Sequence, residues 1–136
     1  MQAKIHASVL AGVLCASVSV AAHHSFSAEF DSNKPVTIQG TVTKVLWNNP
    51  HAWIHLNVKE PDGKVVDWAA EAGSPNQLTR RGWRKDTLAV GSDIIIVTGF
   101  QAKDGTPTMN VSNITLPDGR KVFSGSTGTG APDEPK

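Results

Sequence analysis

The sequence predicts an all-β domain with one short helix. Apolar and polar residues alternate from Val36 onward, which is typical of a strand with one buried face. Pro-Asp-Gly at 61–63 and Lys-Asp-Gly at 103–105 are turn sequences between apolar runs, and Ser-Pro at 74–75 marks a helix start between the two hairpins. This order of elements favours a small five-stranded OB-like barrel. An open β-sandwich of similar strand count is the alternative.

Composition divides the chain into four segments. Lys4 is the only charge ahead of an apolar run that ends at small residues, so residues 1–22 are predicted to be a cleaved signal peptide. Residues 23–35 form a polar N-terminal arm, 36–123 the OB-like domain, and 124–136 a disordered tail rich in Gly, Ser, Thr and Pro. We therefore expect a periplasmic or secreted protein with no membrane span in its mature form.

The first strand is predicted from the alternation between Val36 and Thr43. Gly40 within this run indicates strong coiling or a bulge, which a small barrel requires of its first strand. Asn-Asn-Pro at 48–50 ends the strand.

The hairpin around 61–63 determines its own register. If Glu60 pairs with Lys64, one face carries only apolar pairs: Val58/Val66, Leu56/Trp68, Ile54/Ala70 and Ala52/Ala72. The outer face then carries Asn57/Asp67, His55/Ala69, Trp53/Glu71 and His51/Gly73. A slip of one residue would exchange the two faces, so the alternation favours this register.

The second half of the domain begins with a helix of about two turns, with Ser74 as its N-cap and Gly82 as its C-terminal stop. Leu78, Trp83 and Leu88 are expected to plug one end of the sheet. Strands follow at 94–100 and 108–116, and 121–123 is a candidate for one more short strand.

Charge and cysteine content exclude two kinds of site. The chain has 13 basic and 12 acidic residues, and the leader holds one of the basic ones, so the mature chain has 13 − 1 = 12 of each. A neutral chain lacks the basic surface that phosphate contacts require, so we expect no nucleic-acid partner. The single cysteine, Cys15, lies in the leader, which leaves the mature domain without a disulfide or a thiolate ligand.

The processed N-terminus is the leading candidate for a metal site. Cleavage after Ala22 makes His23 the first residue, whose amine and imidazole would be two arms of a histidine brace. Cleavage after Ala21 puts a histidine third, and the amine, two amides and one imidazole would then enclose Cu(II) or Ni(II). Tetragonal nitrogen sites favour these metals, so copper is the expected cofactor.

His51 and His55 resemble a ligand pair by spacing but are predicted to lie on a strand. Four residues on a strand span about 13 Å, whereas the ligands of one zinc ion lie about 2 Å from the metal. The two histidines therefore cannot share an ion. His51, beside the loop, is the one expected to join His23 and His24 as a metal ligand if the arm folds back. The alternative for each histidine is a surface position or a hydrogen bond to the turn at 48–50.

A second group of residues suits ligand binding without a metal. Trp47, Trp53, His55 and Glu71 are predicted at the surface that OB-type barrels use for ligands. An exposed tryptophan beside polar groups suits stacking on a sugar or docking of a protein. The alternative is that the arm covers Trp53 through Phe26 and Phe30.

The blocks HHSFSAEFD, GTVTKVLWNNPHAWIHL, SPNQLTRRGW and LPDGRK carry a resemblance. Between about His23 and Phe123 the chain resembles a family of small exported bacterial proteins known only as a domain of unknown function. That resemblance implies a secreted β-rich domain and leaves the chemistry open. More distantly, the layout is similar to exported bacterial OB-fold domains, which generally bind ligands or partners.

We therefore expect a binding protein and no catalytic residues. The leading hypothesis is an exported copper-binding protein with His23, His24 and His51 as ligands. The alternative is a recognition module for a polar ligand, glycan or protein partner. A copper redox reaction at the terminal histidines is the one enzymatic activity that the sequence leaves open.

Overall fold

A computed structural model describes residues 26–126, which form a mostly antiparallel six-stranded sheet and two short helices. The elements are α1 (Phe26–Glu29), β1 (Phe30–Leu46), β2 (Trp53–Lys59), β3 (Val65–Glu71), α2 (Pro75–Arg80), β4 (Ile94–Ala102), β5 (Thr108–Thr115) and β6 (Lys121–Phe123). The all-β class is confirmed. The leader, His23 and His24 lie outside the described residues. No helix within 26–126 is long and apolar enough to cross a bilayer.

One parallel pairing closes most of the sheet on itself. The strand order is β3-β2-β1-β4-β5-β6, and β3 also pairs with β5 through Ala69–Thr108 and Glu71–Asn110. Strands β1, β2, β3, β5 and β4 therefore form a closed ring, the five-strand ring. Strand β6 extends from β5 outside it. The closed ring is consistent with the open β-sandwich alternative as well as with the five-stranded barrel that the sequence favoured.

The predicted hairpin register is confirmed. Leu56 pairs with Trp68, Ile54 with Ala70 and Trp53 with Glu71. The apolar face of the hairpin forms part of the core, and Trp68 is buried as predicted. The buried apolar side chains include Val42, Ala52, Ile54, Leu56, Val58, Ala70, Ala72, Ile95, Val97, Met109, Val111 and Ile114.

The predicted arm is not separate from the sheet. β1 begins at Phe30 rather than Val36, because Phe30 pairs with Ala102 and buries its ring. The ring of Phe26 lies 5.9 Å from that of Phe30 and 5.5 Å from that of Phe100. The two aromatic residues therefore fix α1 against the outside of β4.

Two glycines lie where neighbouring strands approach closely. A Cβ atom on Gly40 would lie 2.5 Å from the carbonyl oxygen of Asn57, and one on Gly99 would lie 1.9 Å from that of Asn110. The register of β1 against β2 shifts between Val42 and Lys44, just beyond Gly40. The irregularity expected from Gly40 is present, displaced by two residues.

The predicted helix closes one end of the core. Ser74 is its N-cap and accepts a hydrogen bond from the backbone N–H of Gln77, whose side chain in turn accepts from the N–H of Ser74. Gly82 follows the C-cap with φ +89°. Leu78, Trp83 and Leu88 are buried, which confirms their predicted position beneath the helix.

The predicted tail begins too early. Ser124 is fully buried, and its carbonyl accepts a hydrogen bond from Gly73 N–H at 2.8 Å. The guanidinium of Arg81 donates to the carbonyl of Gly125 and lies over the ring of Phe123. The chain is therefore packed through Ser126 at least, and residues 127–136 lie outside the described part.

Candidate functional site

A histidine and a buried carboxylate meet at one end of the β2–β3 hairpin. His51 Nε2 lies 3.4 Å from Glu71 Oε1. The side chain of His51 is 21% exposed and that of Glu71 is 9% exposed. The pair is therefore accessible from the histidine side, while the carboxylate is largely removed from water.

The other ring nitrogen of His51 is held by the end of the same hairpin. His51 Nδ1 lies 3.2 Å from the carbonyl oxygen of Ala72 and 3.2 Å from Ser126 Oγ. In the tautomer with hydrogen on Nδ1, the ring donates to Ala72 and turns the Nε2 lone pair toward Glu71. The backbone thus fixes the orientation of the imidazole.

The contact between His51 and Glu71 is diagonal across the two strands. Glu71 is directly opposite Trp53, and the N–H of Ala52, next to His51, donates to the carbonyl of Gly73. Diagonal neighbours on a sheet face are within reach of long side chains. The sequence placed both residues on the outer face but treated Glu71 as a partner of Trp53, so the pair with His51 was missed.

Burial of Glu71 corrects the expectation of an exposed outer face. Glu71 is 7% exposed as a residue, and its neighbour on β5, Asn110, is 3% exposed. Both lie between core-facing residues of their strands, so their side chains are on the side of the ring opposite the core. α1 packs on this same side of the ring, through the contact of Phe26 with Phe100.

Ser126 was also missed. A Gly/Ser/Thr-rich sequence predicts disorder, yet the hydrogen bonds of residues 124 and 125 hold Ser126 beside His51. Its hydroxyl, His51 and Glu71 form a serine–histidine–acid series. The Ala72 carbonyl and the Ser126 hydroxyl both contact His51 Nδ1. These contacts are therefore explained equally well by orientation of the imidazole ring and by activation of the serine.

His55 forms a separate pair. His55 Nδ1 lies 3.5 Å from Asp67 Oδ2, and the Asp67 side chain is 63% exposed. His51 and His55 thus contact different acids, as expected for two residues that cannot share one ion.

Trp53 borders an open groove of about 330 Å³. The groove runs between α1 and the turn that joins β4 to β5, and its lining includes Ala28, Phe30, Lys103, Thr106 and Thr108. Asp104 lies here too, and the backbone N–H and the hydroxyl of Thr106 donate to its carboxylate, which lowers its pKa.

Three of the four predicted ligand-binding residues, Trp53, His55 and Glu71, share the outer face of the β2–β3 hairpin, whereas Trp47 lies elsewhere. Trp47 lines a small apolar cavity with Leu78 and Trp83 at the α2 end of the ring. Trp53 lines the groove, His55 contacts Asp67 and Glu71 contacts His51. The arm lies beside Trp53 through Ala28 and Phe30, but the aromatic partner of Phe26 on the sheet is Phe100.

The predicted metal ligands are only partly described. His51 has a second metal-binding side chain, Glu71, within reach, whereas His23 and His24 precede the described residues. No group of three or more His, Cys, Asp or Glu side chains that could hold an ion occurs among residues 26–126.

Comparison with known proteins gives a family but no activity. The model of a family of unknown function (DUF6152) matches residues 10–110. The matched range includes the first three of the four sequence blocks, and the LPDGRK block lies beyond it. No solved structure matches the chain.

Proposed function

The chain belongs to this family of unknown function, and we propose that it is an exported protein that binds a divalent transition metal, copper above all. Its ligands are His51 and Glu71 together with His23, His24 and the α-amino group that removal of residues 1–22 creates. The composition of the leader supports export, and the β2–β3 hairpin supplies two of the ligands.

The buried Glu71 carboxylate beside the accessible His51 imidazole carries this proposal, and the distance between His51 Nε2 and Glu71 Oε1 supports it. At 3.4 Å it is longer than a normal N–H···O hydrogen bond, which spans roughly 2.7–3.2 Å. Two ligands that each lie about 2.1 Å from one ion are about 3.4 Å apart in a tetrahedron and about 3.0 Å apart in a square plane. The observed 3.4 Å matches the tetrahedral spacing and exceeds the square-planar one, so the two side chains would move together by about 0.4 Å to hold Cu(II) in a square plane.

The surroundings of His51 support the same role. Metal-binding histidines commonly donate their second ring N–H to a backbone carbonyl, which fixes the tautomer. The Ala72 carbonyl at 3.2 Å from Nδ1 is such an acceptor. With Nδ1 protonated, the Nε2 lone pair and the Glu71 carboxylate face each other, and a cation between them stabilises that arrangement.

Copper is favoured by the nitrogen ligands. An α-amine and imidazoles suit Cu(II), which binds a given nitrogen and oxygen site more tightly than Zn(II) does. The mature chain has no cysteine to favour a softer metal.

Native mass spectrometry tests the proposal directly. The protein is exported with its own leader and purified without chelators, so that one spectrum reports both the first residue and any bound metal. We expect one copper ion per chain, lost in His51→Ala and in His23→Ala/His24→Ala but retained in His55→Ala. A mass that stays metal-free after addition of Cu(II) refutes the proposal.

The groove beside Trp53 supports a second candidate function, recognition of a sugar. Its volume is sufficient for one ring, Trp53 offers an apolar face, and Thr106, Thr108 and Asp104 offer polar groups. Such a mixture of one aromatic face and a few polar groups is typical of sugar sites.

Titration with a panel of monosaccharides, followed by tryptophan fluorescence, distinguishes the two functions. Binding that is lost in Trp53→Ala and retained in His51→Ala would establish the sugar site. If His51→Ala abolishes copper binding and no monosaccharide gives a fluorescence change that depends on Trp53, metal binding remains the function.

A further inference from the structure

A buried indole beside the small apolar cavity at the α2 end of the ring lacks a hydrogen-bond acceptor. Trp83 is 4% exposed, and its Nε1–H donates to no acceptor among residues 26–126. The same side chain lines the cavity, together with Val45, Trp47 and Leu88. An indole N–H is a donor only, and buried polar groups almost always have a partner, so this one points to a missing acceptor.

Two cations lie at the edge of this cavity. Arg84 and Lys85 line it, both residues are exposed, and neither forms an ion pair with another residue of the range 26–126. Their turn is fixed by two hydrogen bonds, since the Arg84 N–H donates to the Thr87 hydroxyl and the Thr87 N–H donates to the Arg84 carbonyl. Asp86 lies in the same turn but does not line the cavity. The entrance is therefore positively charged.

The size and lining of the cavity decide which acceptor fits. Its volume of about 10 Å³ is the room that one water-sized group needs, so a single oxygen atom can enter while the rest of a ligand stays outside. At the entrance, the partly exposed Val45 and Trp47 offer apolar surface, and Arg84 and Lys85 offer charge. A carboxylate on an apolar body complements all three features, whereas inorganic phosphate has no apolar part.

We propose that this cavity binds the carboxylate of an apolar acid, with one oxygen accepting a hydrogen bond from Trp83 Nε1–H and the negative charge facing Arg84 and Lys85. A hydrogen bond to an ionised acceptor is roughly twice as strong as a neutral one, so an anion compensates the buried donor well. A small free acid and the C-terminus of a peptide both present this group. The site does not include His51 or Glu71, and binding needs no metal.

The indole N–H resonances of the metal-free protein test the proposal. The chain has four tryptophans, and Trp83→Phe identifies the signal of Trp83 in a nitrogen–proton correlation spectrum. Sodium butyrate, titrated at constant ionic strength, should move this signal downfield to a plateau, because the proton then bonds to an anionic oxygen. Neutral butyramide and inorganic phosphate should not move it. Trp68 is the matched control, since its buried Nε1 also lacks a partner within residues 26–126 but does not line the cavity, and its signal should stay in place.

Paired variants separate the cavity from the general charge of the chain. Trp83→Phe keeps most of the ring and removes the donor, so butyrate affinity should fall at least about tenfold, whereas Trp68→Phe should leave it unchanged. Arg84→Ala/Lys85→Ala should lower it about fivefold, as loss of two exposed charge contacts does. Arg80 is an exposed arginine of α2 that does not line the cavity, so Arg80→Ala should change the affinity less than about twofold. Isothermal titration calorimetry measures all four.

Trialanine distinguishes the two sources of the carboxylate. A shift of the Trp83 signal with trialanine, absent with its C-terminal amide and with butyrate, identifies a peptide C-terminus as the ligand. A shift with butyrate alone identifies a small free acid. A shift with both acids and with neither amide shows that the cavity reads the carboxylate itself.

Three results overturn the inference. The first is a Trp83 signal that moves with neither acid, and the second is an equal movement with butyramide or phosphate. The third is an equal loss of butyrate affinity in Arg80→Ala and in Arg84→Ala/Lys85→Ala. Each result is obtained on metal-free protein, so it is independent of whether the chain binds copper.

Discussion

The β2–β3 hairpin carries two histidine–acid pairs with similar distances but different ring nitrogens and different surroundings. His51 with Glu71 and His55 with Asp67 are both diagonal contacts, at 3.4 and 3.5 Å. The histidines are similarly accessible, whereas the acid side chain is 9% exposed in the first pair and 63% in the second.

Burial of the acid separates a candidate site from a surface contact. An exposed ion pair contributes about 0–1 kcal/mol and is screened by salt, which suffices to explain His55 and Asp67. A buried carboxylate loses hydration and must be compensated by other groups. The His51 ring is also anchored by the Ala72 carbonyl, whereas His55 has no equivalent carbonyl contact among residues 26–126.

The largest expected effect separates the two histidines. His51→Ala removes a ligand and should reduce Cu(II) affinity at least about 100-fold, more than loss of an outer-shell partner. His55→Ala should change it less than about twofold, since its contact with Asp67 is exposed. Competition with a chelator of known affinity measures both, and equal losses would contradict the distinction between the pairs.

Substitution of two glycines by alanine perturbs the backbone beside each of the two pairs separately. Gly99→Ala introduces a methyl against Asn110, beside Glu71, and Gly40→Ala introduces one against Asn57, beside Asp67. We expect each to lower the free energy of unfolding by about 1–3 kcal/mol, with Gly99→Ala the larger because its contact is closer.

Chemical denaturation measures both glycine variants, and copper titration of the folded protein separates them. Only Gly99→Ala should also weaken copper binding. Weaker copper binding in Gly40→Ala alone would place the metal near His55 and Asp67 instead.

The two acids provide a smaller contrast. Glu71→Gln keeps the shape and removes the charge, so Cu(II) affinity should fall about tenfold, whereas Asp67→Asn should have no measurable effect. Isothermal titration calorimetry at constant pH checks this. Unchanged affinity in Glu71→Gln would show that the carboxylate is not a ligand.

The smallest effect concerns an exposed acid of the groove. The Thr106 N–H and hydroxyl lower the pKa of Asp104 below its usual 3.8, so its carboxylate stabilises the fold above about pH 4, and this is lost as pH falls through the folded pKa. Asp104→Asn should therefore lower Tm slightly at pH 6 and converge with wild type in acid. A constant difference down to pH 2 would contradict this account.

Alternation and turn chemistry were sufficient to predict the hairpin register, the helix and the all-β class, because each depends on local sequence. Burial of Glu71 was missed because strand alternation places it on the outer face, where an exposed side chain was expected. Ser126 was missed because hydrogen bonds to distant strands hold it. The contact of His51 with Glu71 was missed because the pairing rule compares residues directly opposite each other.

The parallel pairing of β3 with β5 also determines when the site can form. The β2–β3 hairpin is local, but Glu71 is paired on both sides only after Thr108 to Asn110 have joined β3. Contacts between residues so far apart in the chain form slowly, since loop closure must precede them. A partly folded chain can therefore carry the hairpin without the completed ring, and we expect metal capture to follow folding rather than to guide it.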